Sequence, residues 1–151
     1  MENKSSRTFD LLTLGQVLLR LSPPDNERLS RGDTFVKQVG GAELNVAVGA
    51  SLLGLHTGVI SKLPAHDIGS FMKGKIRSFG VSDDFFMYDH SAGARLGIYY
   101  YENGAYPRKP KVIYDRQHSS FFSLSLDEIP EEVYTASKCF HTTGITLALS
   151  P

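Results

Sequence analysis

Between residues 9 and 80 the chain alternates twice between a short apolar run and a helical pattern, and this rhythm restricts the fold more than any other feature. Residues 9–14 (FDLLTL) are mostly apolar and stop at Gly15, as a strand buried on both faces does. In residues 42–53, Leu44, Ala47, Val48 and Leu52 recur at helical spacing, and Gly54 stands where a left-handed residue ends a helix. Residues 57–63 (TGVISKL) read as a second strand, and 68–79 (IGSFMKGKIRSF) as an amphipathic helix closed by Gly80. Strand, helix, strand, helix predicts an α/β fold, a parallel sheet covered by helices. With 151 residues and 41% apolar side chains, one domain with a real core is within reach.

A different pattern interrupts this rhythm. Residues 17–21 (VLLRL) set Arg20 among apolar neighbours, and PPDNE at 23–27 ends that strand. Residues 33–39 (DTFVKQV) alternate as a partly exposed strand does. In 95–101 (RLGIYYY), Leu96, Ile98 and Tyr100 share one side, while Gly97, Tyr99 and Tyr101 share the other. Glu102-Asn103-Gly104 predicts a hairpin turn into 111–116 (KVIYDR), which alternates again. The expectation is a small antiparallel, tyrosine-rich, half-exposed sheet standing off the main body. Farther on, residues 130–136 predict a short helix with Pro130 first and Glu131 and Glu132 in its opening turn. Residues 139–143 (CFHTT) predict a core strand, in which Cys139 reads as inert.

The two ends carry their own expectations. The polar residues 1–7 predict a disordered tail. Ser150-Pro151 reads as a helix start, an N-cap serine before an N1 proline. An α/β chain stopping there leaves its layer unfinished, so residues 8–151 read as the N-terminal part of a longer protein. The alternative is a short protein that covers its raw sheet edge by self-association.

Composition excludes several function classes. Lys plus Arg and Asp plus Glu number 16 each, so the basic excess expected of a nucleic-acid or membrane-surface binder is missing. No apolar run approaches bilayer length, and MENKSSRTFD lacks a secretory core, which predicts a cytoplasmic location. The single Cys139 cannot form an internal disulfide and fits a reducing compartment. The histidines at 56, 66, 90, 118 and 141 lack paired metal-ligand spacing, and His66-Asp67 reads as a helix cap in which Asp67 is the natural capping residue. There is no Walker-type phosphate loop.

The chemistry concentrates in QVGGAELNVAVGASLLG, residues 38–54. Gly40-Gly41 precede a helix N-terminus, where backbone approaches a neighbour closely and free N–H groups gather. Asn45, one turn in, offers both a donor and an acceptor suited to sugar hydroxyls. Two readings stand at this point: a strand–helix turn with a capping amide, or backbone set against a ligand.

VGGAELNVAVGASLLG resembles the N-terminal signature of the ribokinase-like (PfkB-type) carbohydrate kinases, and the rest of the chain from Phe9 follows that family's order. The ordered parts are the strand ending at Gly15, the GG…N helix, TGVISKL, the HDIG-initiated helix, the tyrosine-rich strands and HTTGITLALSP. The resemblance implies a three-layer αβα fold with a parallel core sheet and a small antiparallel β lid, whose strands lie near 17–21, 33–39, 95–101 and 111–117. Within the family the chain is most similar to 2-keto-3-deoxygluconate kinases. That similarity implies a sugar-acid site at Gly40, Gly41, Asn45, Tyr99, Tyr114 and Arg116. A planar guanidinium binds a carboxylate with two parallel hydrogen bonds, which suits Arg116. Taken singly, these tyrosines are ordinary strand residues and Arg116 an ordinary surface charge.

The chain departs from the family pattern at four points. Gln16 stands where these kinases often carry Glu, Glu43 where the broad family has a small residue or proline, and Pro64 where a glycine is common. The family's Gly-Ala-Gly-Asp-type catalytic loop does not occur in the 151 residues. The resemblance therefore implies ATP and Mg2+ for a full-length member, with neither bound by this chain alone and no phosphorylation by it. It also implies a homodimer through the β lid. The alternative is a non-catalytic module that binds a sugar or only pairs through its lid.

Overall fold

The computed structural model describes residues 8–149. The expected disordered tail and the Ser150-Pro151 helix start lie outside the described residues. In chain order the elements are β1 (Phe9–Leu14), β2 (Leu18–Ser22), β3 (Val36–Gly40), α1 (Ala42–Leu52), β4 (Thr57–Pro64), α2 (Asp67–Arg77), β5 (Val81–Ser82), β6 (Phe86–Asp89), β7 (Gly97–Glu102), β8 (Lys111–Asp115), α3 (Val133–Ala136), β9 (Ser137–His141) and α4 (Gly144–Leu147).

The main sheet has the order β5-β4-β1-β9, with β6 also paired to β4, and its pairings are parallel. The central strand β4 is buried almost throughout, as a strand covered on both faces must be. Val59 and Leu63 point to one side, against Leu44 and Ala47 of α1 and Met72 and Ile76 of α2. Ile60 points to the other, against Leu12, Phe85 and Val133. The sheet thus lies between two layers, the lower one supplied by α3 and the turns before it. Gly54 and Gly80 end the two long helices with φ of +90° and +77°.

A second sheet has the order β3-β2-β7-β8. Its outer pairs are antiparallel as expected, but β2 and β7 run parallel. Each of those strands follows a strand of the parallel sheet, so both leave the main body in the same direction. One face of this small sheet joins the larger core, since Val17, Leu19 and Leu96 pack in the cluster beneath α1 and α2. The expected strand spans shift slightly, with 33–39 becoming Val36–Gly40, 95–101 becoming Gly97–Glu102 and 111–117 becoming Lys111–Asp115.

Several local expectations are corrected. The turn expected at residues 102–104 does not form, because Glu102 ends β7 paired with Lys111. Its carboxylate accepts from Arg108 Nη1 at 2.9 Å and from the Leu29 N–H at 2.9 Å, which holds residue 102 in the strand and lengthens the connection. His66, not Asp67, caps α2: its extended backbone lets Nδ1 accept from the Ile68 N–H at 3.2 Å, while Asp67 occupies the first turn. The helix expected from Pro130 starts at Val133, after a turn. Leu52, expected on the buried stripe of α1, is 73% exposed, because this helix meets the sheet with its first half. The strand expected at residues 139–143 lies at 137–141 and is the sheet's last strand, leaving Cys139 and Phe140 exposed rather than in the core. Strands β5 and β6, two and four residues long, were too short to show a period.

Candidate functional site

The register of the small sheet builds one wall of the site. Arg20 pairs with Tyr99, and Tyr99 with Tyr114, so three long side chains form a row across one face. Tyr101, two residues along, shares that face. This row looks across a cavity of about 460 Å³ toward the N-terminus of α1. Gly41, Asn45, Tyr99, Tyr114 and Arg116, all expected from the sequence, line it. Gly40 does not; it lies under the Tyr99 ring, where an added Cβ would come within 2.5 Å of the phenol oxygen. The tyrosine rings of 99 and 114 sit 5.9 Å apart at 35°.

The paired glycines have causes within the chain itself. Gly41 takes φ +141°, and a Cβ there would come within 2.7 Å of the Gln16 carbonyl oxygen. No side chain caps α1, so its first turn presents backbone N–H groups beside the cavity. The turn reading and the ligand reading therefore meet. Close approach to Tyr99 and Gln16 demands the glycines, and that approach brings the helix end to the cavity wall.

Arg116 is positioned by residues the sequence reading set aside. Its Nε and Nη2 donate to Gln16 Oε1 at 2.8 and 2.6 Å. Gln16, only 2% exposed, completes its own bonding by donating from Nε2 to Ser119 Oγ at 2.6 Å and to the Arg116 carbonyl at 3.2 Å. The Arg116 guanidinium also lies 5.7 Å from the Tyr114 ring centroid. Burial pushes the Arg116 pKa below its ordinary value, and the interactions with Tyr114 and then Glu43 only partly offset this.

Glu43 forms the floor. It is 2% exposed, and its Oε1 accepts from the Thr143 N–H at 3.0 Å and from the Thr143 hydroxyl. Burial pushes this carboxyl up, but hydrogen bonding from Thr143, Thr146 and the backbone of Glu43 together outweighs it and holds the pKa below the ordinary glutamate value. Thr143 Oγ1 in turn accepts from the Ile145 N–H at 3.2 Å, starting α4 and setting Ile145 on the cavity wall. On the lid side, Arg20 stacks its guanidinium 4.3 Å over the Tyr101 ring and donates to Ser22 Oγ at 2.9 Å. Burial raises the Tyr99 phenol, with the Arg20 charge pulling the other way.

Gln16, Arg20, Glu43, Tyr101 and Ile145 are thus site residues that the sequence reading did not assign. The available signals were a charged Arg20 inside an apolar run and the departures from the family pattern at Gln16 and Glu43. Among the described residues no group of three His, Cys, Asp or Glu side chains is placed to hold a metal ion. The one carboxylate on the cavity wall, Glu43, is already committed to Thr143.

Comparison with known proteins decides the family. The family model described as pfkB family carbohydrate kinase matches residues 8–151. The chain belongs to the pfkB family of carbohydrate kinases. This pfkB chain is 38% identical over 143 residues to a 2-dehydro-3-deoxygalactonokinase of Haloferax volcanii, covering 95% of this chain and 44% of that protein. It is 31% identical over 149 residues to 5-dehydro-2-deoxygluconokinase 1 of Bacillus cereus, covering 98% of this chain and 44% of that one. The crystal structure of 2-dehydro-3-deoxygluconokinase from Thermotoga maritima superposes with a TM-score of 0.88 at 38% identity, over 95% of this chain and 43% of that chain. The pfkB chain therefore spans less than half the length of these relatives. No helix among the described residues is long and apolar enough to cross a membrane.

Proposed function

We propose that this chain is the sugar-binding part and lid of a cytoplasmic, ATP- and Mg2+-dependent kinase acting on 2-keto-3-deoxygluconate (2-dehydro-3-deoxygluconate) or a sugar acid of the same class. The observation that carries the reading is Arg116, a half-buried guanidinium beside the cavity that no carboxylate pairs with among the described residues. A carboxylate entering the cavity meets that cation, while Tyr99, Tyr114 and Asn45 offer hydroxyl and amide groups to the sugar. Relatives named as dehydro-deoxygluconokinase and -galactonokinase support the same class.

The test is calorimetric titration of the 151-residue chain with 2-keto-3-deoxygluconate. Saturable binding is expected, and Arg116→Ala should weaken it roughly 30-fold or more, since bonds to a charged group contribute about 1.5–3 kcal/mol each. Unchanged affinity in the variant sinks the substrate assignment. Incubated with ATP, Mg2+ and the sugar acid, this chain alone is expected to transfer no phosphate.

A second reading, pairing of two copies through the lid, has its own observation. The small sheet ends in two strand edges, β3 and β8, with Phe35, Val36, Val112 and Ile113 exposed on or beside them.

A further inference from the structure

Arg20 is the second cation of the cavity, and a sugar acid with one carboxylate does not account for it. The register of the small sheet fixes where it stands. Arg20 pairs with Tyr99, Leu18 with Gly97 and Ile98 with Asp115. Arg116, whose Cβ lies 3.2 Å from the place a Cβ on Gly97 would take, is therefore level with Leu18. It stands two strands across from β2 and one row nearer the main body than Arg20. At the usual strand spacing and rise, the two backbone positions are about 12 Å apart, with Tyr99 between them.

The anchors of the two guanidiniums draw them apart. Arg20 lies 4.3 Å over the Tyr101 ring and donates from Nε to Ser22 Oγ at 2.9 Å, and both partners stand one row farther from the main body. Arg116 is held the other way, by Gln16 just before β2. Both arginines line the cavity, and among the described residues neither forms an ion pair with a carboxylate. Glu43, the carboxylate on that wall, is bound to Thr143. One ligand carboxylate at Arg116 therefore leaves Arg20 unpaired. A cation in a partly buried wall is costly until an anion meets it.

We infer that the cavity holds two anion positions, Arg116 at its base and Arg20 on the outer lid, and takes a six-carbon keto sugar diacid more tightly than a monoacid. Such a chain spans roughly 6 Å between its end carbons. With a guanidinium bonded at either end, it covers the separation of the two arginines. The inference rests on the sugar-acid reading above and deepens it by adding a ligand class that a single cation would not distinguish.

The experiment is calorimetric titration of the 151-residue chain with three ligands of one chain length. They are 2-keto-3-deoxygluconate, 2-keto-3-deoxyglucarate, which has a second carboxylate in place of the terminal hydroxymethyl group, and the 6-carboxamide of that diacid. The diacid is expected to bind roughly tenfold more tightly than the monoacid, and the amide no more tightly than the monoacid. Arg20→Met should remove the advantage of the diacid, whereas Arg116→Ala should weaken all three. A monoacid that does not bind, or binds equally well to Arg116→Ala, overturns the sugar-acid reading and this inference with it. A monoacid that binds through Arg116 while the diacid gains nothing over it overturns this inference alone. So does an amide that equals the diacid, because the wall would then read size and not charge. An advantage that persists in Arg20→Met does the same. If circular dichroism shows Arg20→Met unfolded, Arg20→Gln takes its place with the same expectation, and the comparison of amide with diacid needs no variant.

Discussion

Gly41 and Asn45 are four residues apart and line the same cavity, yet they answer to different forces. At Gly41 the backbone takes φ +141° and stands where a Cβ would press within 2.7 Å of the Gln16 carbonyl. Gly41→Ala is therefore expected to lower stability by about 2 kcal/mol, a fall of roughly 4–8 °C in Tm by differential scanning fluorimetry. A variant melting with the unmodified chain would show that the turn relaxes freely. Asn45 is exposed, so Asn45→Ala should leave stability within about 0.5 kcal/mol of the parent while weakening sugar binding. At this scale the sequence was half legible. The paired glycines announced a close approach, but nothing local showed that the approaching atoms are the Tyr99 hydroxyl and the Gln16 carbonyl.

Among the elements, the link between α1 and the segment after β9 turns on the Glu43 carboxylate. Held below the ordinary glutamate pKa, Glu43 contributes stability that is complete above that ordinary value and lost as pH falls through the depressed folded one. Melting temperatures measured from neutral pH down to the acid range should fall more steeply for the parent than for Glu43→Gln. That variant keeps an acceptor for Thr143 but no longer titrates. At neutral pH its loss should be about 1 kcal/mol, against about 3 kcal/mol for Glu43→Ala, which leaves the Thr143 donors facing a void. Parallel curves for parent and Glu43→Gln would mean that the carboxylate does not anchor the segment. The elements themselves were largely readable, because β1, α1, β4 and α2 each announce one period and one stop signal. Strand β9 misled because Cys139 and Phe140 are apolar by composition, whereas burial depends on what covers the strand. The hairpin misled because Asn103-Gly104 looks like a turn until the partners of Glu102 are known.

For the molecule as a whole, the small sheet is not an appendage. Val17, Leu19 and Leu96 anchor it in the same core as Leu44 and Met72, so its inner face stays fixed while its outer rows meet the cavity and solvent. If two copies pair through the lid, sedimentation velocity should show a concentration-dependent dimer that Ile113→Lys shifts to monomer. The substitution lies on exposed strand surface and should cost little stability. A parent chain that sediments as a monomer at every concentration would remove the pairing reading and leave the sugar site untouched.

Local order in the sequence determined the parallel sheet, its two long helices and the tyrosine-rich strands, because period and turn residues act over a few positions. The signature of residues 39–54, together with the order of the elements from Phe9 onward, carried the resemblance to the family that the match over residues 8–151 shows. Only the tertiary structure decided that Gln16 grips Arg116 and that Glu43 holds Thr143, each across 100 residues of chain. Such pairs form where two strands or a helix end and a turn arrive at the same point in space. No pattern at the period of a helix or a strand encodes that distance.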